Sequence, residues 1–309
     1  MHRDVKKTIG DIKSLKIQGA RNVAKAAMKA LAVAAKDSKT RSAASFCKEM
    51  SHTAEALSLS RPTEPMMRNI LDEAVRFASG TAKKEKNATE LRRLLVLHEK
   101  EMLARLDEEA EKLAECGARI IPDGAIVLTH CHSSTSTAVL IKAKKMHKKF
   151  SVVAFETRPR YQGRITAAEL ARAGIDVTLS VDGGMNMFMK KADIVIVGAD
   201  SVTSRGDLIN KIGTSTLAHI ARLNDVSFYS AAELFKYSPM TMFGTREKIE
   251  ERDPAEVWDK PPKGVKIRNP AFEATAAKYI NGYITEIGVI PPQSFFTMAT
   301  QKLGIRLYE

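Results

Sequence analysis

The first 118 residues carry apolar side chains at the three-to-four-residue spacing of one face of an α-helix. The first such stripe consists of Ile9, Ile12, Leu15, Ile17, Val23 and Ala27. A break at Arg61-Pro62-Thr63 precedes another helix, and a further one spans about Ala88 to Cys116. Strand-like alternation does not occur in this part of the sequence. The pattern therefore predicts a helical bundle over residues 1–118.

After Gly117 the pattern changes to short apolar runs rich in β-branched residues. These runs are Ala125–Thr129, Ser151–Phe155, Ile175–Val181, Asp193–Val197, Val226–Tyr229 and Val265–Ile267. Helical segments such as Ala167–Ala173 and Thr216–Leu223 lie between them. Apolar strands that alternate with helices indicate a parallel sheet covered on both faces. We predict an α/β protein in which a Rossmann-like parallel-sheet domain over residues 119–309 follows the helical bundle.

Composition fits this picture of two domains. The chain has 309 residues, of which 44% are hydrophobic and 28% charged, as in ordinary globular proteins. No apolar run reaches the length of about 18 residues that a membrane span needs. The N-terminal residues mix charged and apolar side chains at helical spacing, unlike a signal peptide, so we expect a cytoplasmic protein without a membrane partner.

The three cysteines, Cys47, Cys116 and Cys131, are odd in number and irregularly spaced. They predict neither a disulfide framework nor a zinc site, which fits a reducing compartment where one thiol is free for chemistry.

The net charge of +13 allows two interpretations. One is nucleic-acid binding, but aromatic residues make up only 6% of the chain and do not interleave with the basic ones. The other is a lysine-rich surface combined with an anionic small substrate, which explains part of the charge more economically. We therefore expect a small anionic substrate and do not expect a nucleic-acid partner.

The run from Thr129 to Thr137 stands where a buried strand passes into a helix. Hydroxyl groups and backbone N–H groups at a helix start favour an anion, which makes Ser133, Ser134 and Thr135 candidate ligands of a phosphate. The same position predicts a lowered pKa for the thiol of Cys131 and hence a reactive thiolate. Alternatively, the hydroxyls are simple helix caps and Cys131 is a small buried hydrophobe.

The neighbouring histidines, His130 and His132, alternate sides of an extended segment. They are therefore not expected to share a metal ion, and at most one of them would assist Cys131.

Two further groups of residues follow apolar runs. Asp200 comes after Ile194–Val197 and the small residues Gly198 and Ala199, so a substrate can approach its carboxyl group closely. Alternatively, Asp200 is an N-cap. Asn210 and Lys211 mark another loop-to-helix junction, and Lys236 adds a second cation. Because the carboxyl ends of parallel strands meet at one edge, these residues are expected to converge there.

Several common site motifs are missing. No glycine-rich dinucleotide fingerprint, P-loop, HExxH or GxSxG motif occurs, so nicotinamide, nucleotide-triphosphate and zinc-hydrolase chemistry lose their strongest support.

Taken in order, these motifs resemble the family that joins ribose-1,5-bisphosphate isomerases, methylthioribose-1-phosphate isomerases and regulatory subunits of translation initiation factor 2B. The resemblance covers essentially the whole chain. The motifs on which it rests are Ile17-Gln18-Gly19-Ala20, Arg61-Pro62-Thr63, Leu128-Thr129-His130-Cys131, Val197-Gly198-Ala199-Asp200, Asn210-Lys211-Ile212-Gly213-Thr214, Asn269-Pro270-Ala271-Phe272-Glu273 and the run Tyr283–Ile290. The catalytic branches have the cysteine and the aspartate, whereas the regulators usually lack the cysteine. The second histidine and the serine-rich continuation resemble the archaeal ribose-1,5-bisphosphate isomerases.

The resemblance implies that Cys131 is a base and Asp200 an acid in isomerisation of α-D-ribose 1,5-bisphosphate to D-ribulose 1,5-bisphosphate. It further implies substrate binding by Gln18, Gly19, Ala20, Arg21, Arg61, Ser133, Ser134, Thr135, Asn210, Lys211 and Lys236, with no metal or organic cofactor. Many relatives have arginine at the position of Gln18, so one expected cation is missing. Arg21 is a possible replacement.

The resemblance also implies a homo-oligomer built on dimers of the C-terminal domain, often a hexamer. Two alternative functions stay open: a non-catalytic regulatory subunit like those of initiation factor 2B, and methylthioribose-1-phosphate isomerisation.

Overall fold

The computed structural model describes residues 2–305. Two compact units divide the chain, one running to Glu108 and including Leu303, the other comprising Glu109–Lys302. This division falls within a continuous helix. No helix among residues 2–305 is long and apolar enough to cross a membrane.

Five helices form the N-terminal part, where a helical bundle was predicted. They are α1 (Arg3–Lys13), α2 (Ala20–Asp37), α3 (Ala43–Ser58), α4 (Pro65–Thr81) and α5 (Ala88–Ile120). Proline begins α4 directly after the predicted break, at a position where its missing N–H costs nothing. The first apolar stripe is interrupted, because Leu15 and Gly19 have left-handed φ angles of 58° and 83°. Leu15 and Ile17 consequently lie between α1 and α2.

The C-terminal unit contains ten strands and, after α5, five further α-helices. In chain order these are β1 (Ala125–His130), α6 (Ser134–Lys145), β2 (Phe150–Phe155), α7 (Gln162–Arg172), β3 (Asp176–Ser180), α8 (Met185–Met189), β4 (Ile194–Val197), β5 (Ser201–Val202), β6 (Leu208–Lys211), α9 (Thr214–Leu223), β7 (Ser227–Ala231), β8 (Phe272–Thr275), β9 (Gly282–Thr285), β10 (Gly288–Ile290) and α10 (Pro292–Leu303).

Seven of these strands form one sheet in the order β10-β9-β7-β4-β1-β2-β3. All neighbours are parallel except β10, which pairs antiparallel with β9. The central strands are buried on both faces, as their uninterrupted apolar character predicts. Their core side chains, such as Val127, Ile196 and Leu140 of α6, are fully buried. The predicted parallel-sheet fold is confirmed.

One predicted strand was wrong, and one sheet was missed. Val265–Ile267 forms no strand, and Val265 is 47% exposed, so this apolar run belongs to a surface loop. Instead, β5, β6 and β8 form a small antiparallel sheet, which carries Asn210 and Lys211 on β6. Strands of two to four residues are too short to show a period.

Candidate active site

Two adjacent parallel strands place the two proposed catalytic residues at the same edge of the sheet. β1 pairs with β4, and the chain continues from their carboxyl ends to Cys131 and Asp200. Burial raises the pKa of the Cys131 thiol most, the charge of Lys211 lowers it, and the charge of Asp200 raises it to a smaller extent. The structure therefore brings Cys131, Asp200 and Lys211 within electrostatic reach of one another.

The predicted direction of the Cys131 pKa was wrong. Burial of the thiol raises its pKa to about 11, and the ammonium group of Lys211 offsets only part of this increase. Withdrawal from water disfavours the thiolate, and here it outweighs the field of the following helix start. At neutral pH the free chain accordingly carries Cys131 as a neutral thiol.

The backbone of Cys131 is held by two buried threonine side chains. Cys131 has a left-handed φ of 66°, an unfavourable conformation for a residue with a Cβ atom. Its N–H donates to Thr157 Oγ1 at 2.8 Å, and its carbonyl accepts from Thr166 Oγ1 at 2.9 Å. Thr157 Oγ1 in turn donates to the carbonyl of Phe155 at 3.0 Å. These bonds fix the orientation in which the strand presents the thiol.

Thr157 is itself anchored by an acidic residue from the end of β3. The Thr157 N–H donates to Asp182 Oδ1 at 2.8 Å, and the following Arg158 N–H donates to Asp182 Oδ2 at 2.7 Å. Asp182 thus ties the loop after β2 to the loop after β3, and Thr157 in turn connects both to Cys131.

The two histidines differ in environment, as their alternation predicts. His130 is buried, and burial lowers its pKa to about 4 although the carboxylate of Asp182, 3.7 Å away, raises it. His132 lies at the surface side, with Nδ1 3.0 Å from Thr166 Oγ1. Among residues 2–305, no group of three or more histidine, cysteine or acidic side chains is arranged to hold a metal ion.

The start of α6 packs closely against the loop after β4. Ser133 is the N-cap, and its Oγ accepts from the N–H of Ser136. A Cβ atom at Gly198 would lie 2.3 Å from both Cβ and Oγ of Ser133, so only glycine fits there. Ser134, the first helical residue, is exposed. The capping interpretation of Ser133 is therefore correct, and an additional role in binding stays a prediction.

Thr135 and Lys236, both predicted substrate ligands, meet at a glutamate that sequence reasoning did not single out. Lys236 Nζ lies 3.1 Å from Glu233 Oε2, and Thr135 Oγ1 donates to the same oxygen at 3.4 Å. Glu233 is fully buried and Lys236 is 3% exposed. Glu233 thus sets the positions of both a hydroxyl and an ammonium group.

Asn210 and Lys211 are buried at the end of β6. Asn210 Nδ2 donates to Thr214 Oγ1 at 3.1 Å, and the Lys211 ammonium lies 4.6 Å from the centre of the Phe272 ring. Burial lowers the pKa of Lys211, while the negative charge of a Cys131 thiolate would raise it.

The start of α9 is already occupied by an internal carboxylate. Glu273 Oε1 accepts from the N–H groups of Gly213 and Ser215 at 2.6 and 2.9 Å. A substrate phosphate therefore has to find its donors elsewhere than at this helix start.

The first predicted binding loop belongs to the N-terminal unit. Gln18 is exposed, and its Nε2 donates to the carbonyl of Leu15 at 2.7 Å. Gly19 is the N-cap of α2, and Ala20, the first helical residue, is buried. Their contact with substrate stays a prediction.

The two predicted arginine ligands of this unit have internal partners. Arg21 Nη2 donates to Asp107 Oδ1 at 2.8 Å and to the carbonyl of Leu106. Arg61 Nη1 lies 3.2 Å from Glu64 Oε1, with both side chains buried. Their roles toward substrate also stay predictions.

Comparison with known proteins shows which proteins this chain is similar to. A model described as the Initiation factor 2 subunit family matches residues 16–292. A ribose 1,5-bisphosphate isomerase of Archaeoglobus fulgidus is 41% identical over 298 residues, covering 95% of this chain and 91% of that protein. A crystal structure of the Pyrococcus horikoshii translation initiation factor eIF-2B has a TM-score of 0.80 at 31% identity, covering 94% and 98%. The 5-methylthioribose 1-phosphate isomerase of the same organism has a TM-score of 0.78 at 30% identity, covering 97% and 87%.

Proposed function

The chain belongs to the initiation factor 2 subunit family, and we propose that within it the protein is the enzyme that isomerises α-D-ribose 1,5-bisphosphate to D-ribulose 1,5-bisphosphate. The observation that carries this proposal is that Cys131 and Asp200 follow the carboxyl ends of the adjacent strands β1 and β4, with Lys211 of the small sheet within electrostatic reach of both. The similarity to a relative named ribose 1,5-bisphosphate isomerase supports the choice of substrate.

The reaction needs an acid and a base because the C1 oxygen of the substrate carries a phosphate. The ring therefore cannot open to a free aldehyde. Asp200 would protonate the ring oxygen as its bond to C1 breaks, and Cys131 would accept the proton from C2. A double bond then joins C1 and C2. Protonation of C1 and loss of the C2 hydroxyl proton leave a ketone at C2, so C1 is reduced and C2 oxidised.

A direct hydride shift from C2 to C1 gives the same product, with C1 reduced and C2 oxidised. Solvent deuterium appearing at C1 of the product separates the proton-transfer route from this one.

The raised pKa of Cys131 limits the fraction of chains in which the proposed base is deprotonated. With a pKa of about 11, roughly one chain in a thousand carries the thiolate at pH 8. The ammonium group of Lys211 stabilises that minority form. Catalytic efficiency is therefore expected to rise with pH between 7 and 9.

The remaining parts of the proposal concern binding and assembly. Two phosphates require two groups of donors, which we assign to the Gln18–Arg21 and Arg61 loops and to the Ser133–Thr135 turn with Asn210, Lys211 and Lys236. We assign catalysis and oligomerisation to residues 119–309 and place the helical domain at residues 1–118. We further propose a cytoplasmic homo-oligomer based on dimers, with the hexamer as the assembly to test by light scattering.

The decisive experiment is a direct isomerase assay. Wild type, Cys131→Ser and the control Cys116→Ser would each receive ribose 1,5-bisphosphate, and NMR or a coupled carboxylase would follow ribulose 1,5-bisphosphate. We expect turnover by the wild type and the control, and a loss of orders of magnitude in Cys131→Ser. A folded wild type without turnover, even with AMP and related nucleotides added, would exclude this substrate.

Two alternatives have a specific observation behind them. The fold similarity to a methylthioribose 1-phosphate isomerase makes that sugar phosphate the next substrate to assay. The similarity to a protein named as an initiation factor supports a regulatory role. Complex formation with initiation factor 2 that survives loss of Cys131 would favour this role over catalysis.

A further inference from the structure

A buried arginine that the sequence analysis did not select lies beside the proposed active site. The segment Glu250–Arg252 pairs with the residues that lead into β8. The Arg252 N–H donates to the carbonyl of Asn269 at 2.9 Å, and the Ala271 N–H donates to that of Glu250 at 2.8 Å. The Ala271 carbonyl also accepts from the N–H of Ile212 at 3.1 Å. Arg252 is thereby fixed to the same small sheet that carries Lys211.

Only part of the Arg252 guanidinium group has a partner. Its Nε lies 3.1 Å from Glu250 Oε1, and the side chain is 7% exposed. Nη1 is buried, and within the described range 2–305 it has no hydrogen-bond acceptor. A buried N–H donor without an acceptor is costly, so a purely structural arginine would be expected to satisfy this nitrogen too.

Arg252 and Lys211 place two positive charges close together. The Lys211 ammonium and the Arg252 guanidinium carbon lie 4.6 and 6.0 Å from the centre of the same ring, that of Phe272. Burial lowers the pKa of Lys211, and repulsion by Arg252 lowers it further. The charge of Arg252 also reaches Cys131, where it opposes the increase in pKa that burial causes. The charges of Asp200 and of Glu250, the partner of Arg252, act in the opposite direction on Lys211, but its pKa stays lowered overall, so a bound anion would stabilise the two buried cations further.

We infer that Arg252 binds a phosphate group of the substrate, with Nη1 as donor and Lys211 as the second cation. The inference rests on the proposed function for the identity of the substrate, although the phosphate site itself is independent of the reaction. A guanidinium group matches phosphate oxygens through its planar fork of N–H groups.

The test compares Arg252→Gln with the control Arg268→Gln. Arg268 lies on the same loop, but its side chain is 80% exposed and paired with Glu251. For Arg252→Gln we expect the KM for ribose 1,5-bisphosphate to rise about 10- to 100-fold, as for loss of a hydrogen bond to a charged group. For the control we expect a change within about twofold, because exposed ion pairs contribute little.

A binding measurement without turnover separates the site from the reaction. Inorganic phosphate should raise the melting temperature of the wild type and of Arg268→Gln above that in chloride of equal ionic strength, and it should raise that of Arg252→Gln clearly less. If phosphate binds through Arg252 and ribose 1,5-bisphosphate is not turned over, the site stands and the proposed reaction fails. If Arg252→Gln keeps the wild-type KM, or phosphate does not stabilise the wild type, the site is refuted.

A second variant, Arg252→Lys, tests the same site if Arg252→Gln does not fold. Arg252→Lys keeps the positive charge toward Glu250 but lacks the planar fork. We expect it to fold and to bind phosphate and substrate several-fold more weakly than the wild type. Wild-type affinity in this variant would refute the role of the guanidinium group.

Discussion

Replacing Thr157 by valine tests how strongly the backbone around Cys131 depends on one hydroxyl group. Valine has nearly the same shape as threonine, so the packing of this fully buried position is kept. The substitution removes the acceptor of the Cys131 N–H, at 2.8 Å, and the donor to the Phe155 carbonyl, at 3.0 Å. A buried N–H left without a partner costs about 1–3 kcal/mol.

The expected loss is measurable in both stability and rate. For a unit of this size, about 1–3 kcal/mol corresponds to a decrease of about 2–12 °C in melting temperature. Cys131 also has a φ of 66°, which costs a residue with a Cβ atom about 1–2 kcal/mol and gives the loop a reason to relax once Thr157 releases it. A thiol displaced by about 1 Å is expected to lower kcat by up to about 100-fold. KM should change much less, since no proposed phosphate ligand is altered.

Two controls separate positioning from general stability. Thr157→Ser keeps the hydroxyl and should restore most of kcat. Thr275→Val alters another fully buried threonine, whose Oγ1 has no hydrogen-bond partner in the part of the chain that the structure describes. That variant should be at least as stable as the wild type, because it removes an unsatisfied polar group. Denaturation in urea and steady-state isomerase kinetics measure all four proteins. Wild-type kcat in Thr157→Val would refute the reasoning.

Two further predictions concern stability. Burial lowers the pKa of His130 to about 4, so between pH 6.5 and 4 the unfolded chain binds more protons, and the free energy of unfolding should fall by about 3 kcal/mol as the pH drops through this range. Urea denaturation from pH 7 to 4 measures this loss, and a His130→Gln profile as steep as that of the wild type would contradict it. Glu273→Gln removes the negative charge at the start of α9 and should destabilise the protein by about 0.5–2 kcal/mol. Faster amide exchange at Gly213 and Ser215 would locate this effect, and an unchanged unfolding midpoint would argue against it.

The sequence predicted the parts of the site that follow apolar strands of the parallel sheet. β4 is apolar throughout and β1 is apolar as far as Leu128, and the rule that parallel strands end at one edge was sufficient to place Cys131 and Asp200 at the same edge. The direction of the Cys131 pKa could not be predicted in the same way. A helix start is visible in sequence, whereas the degree of burial that outweighs it depends on the whole fold.

The site residues that the sequence analysis missed come from segments without a regular spacing of apolar residues. Arg252 lies in a long irregular stretch between β7 and β8, where nothing in the local sequence separates a buried arginine from an exposed one such as Arg268. Thr157 and Thr166 act through tertiary hydrogen bonds to a residue about 30 positions earlier. Cys131, the residue that both threonines bind, has a left-handed φ angle but is not a glycine. The local sequence therefore does not indicate a turn at this position.

The contact between Gly198 and Ser133 links two loops that are far apart in sequence. Because a side chain at position 198 would collide with the Cβ atom of Ser133, an alanine at 198 can be accommodated only if position 133 becomes glycine. The side chain at position 133 therefore limits what position 198 can hold, and a library that randomises position 198 alone explores few folded variants. Redesign of substrate preference at this edge has to treat the loop bearing Asp200 and the start of α6 as a single interlocked part.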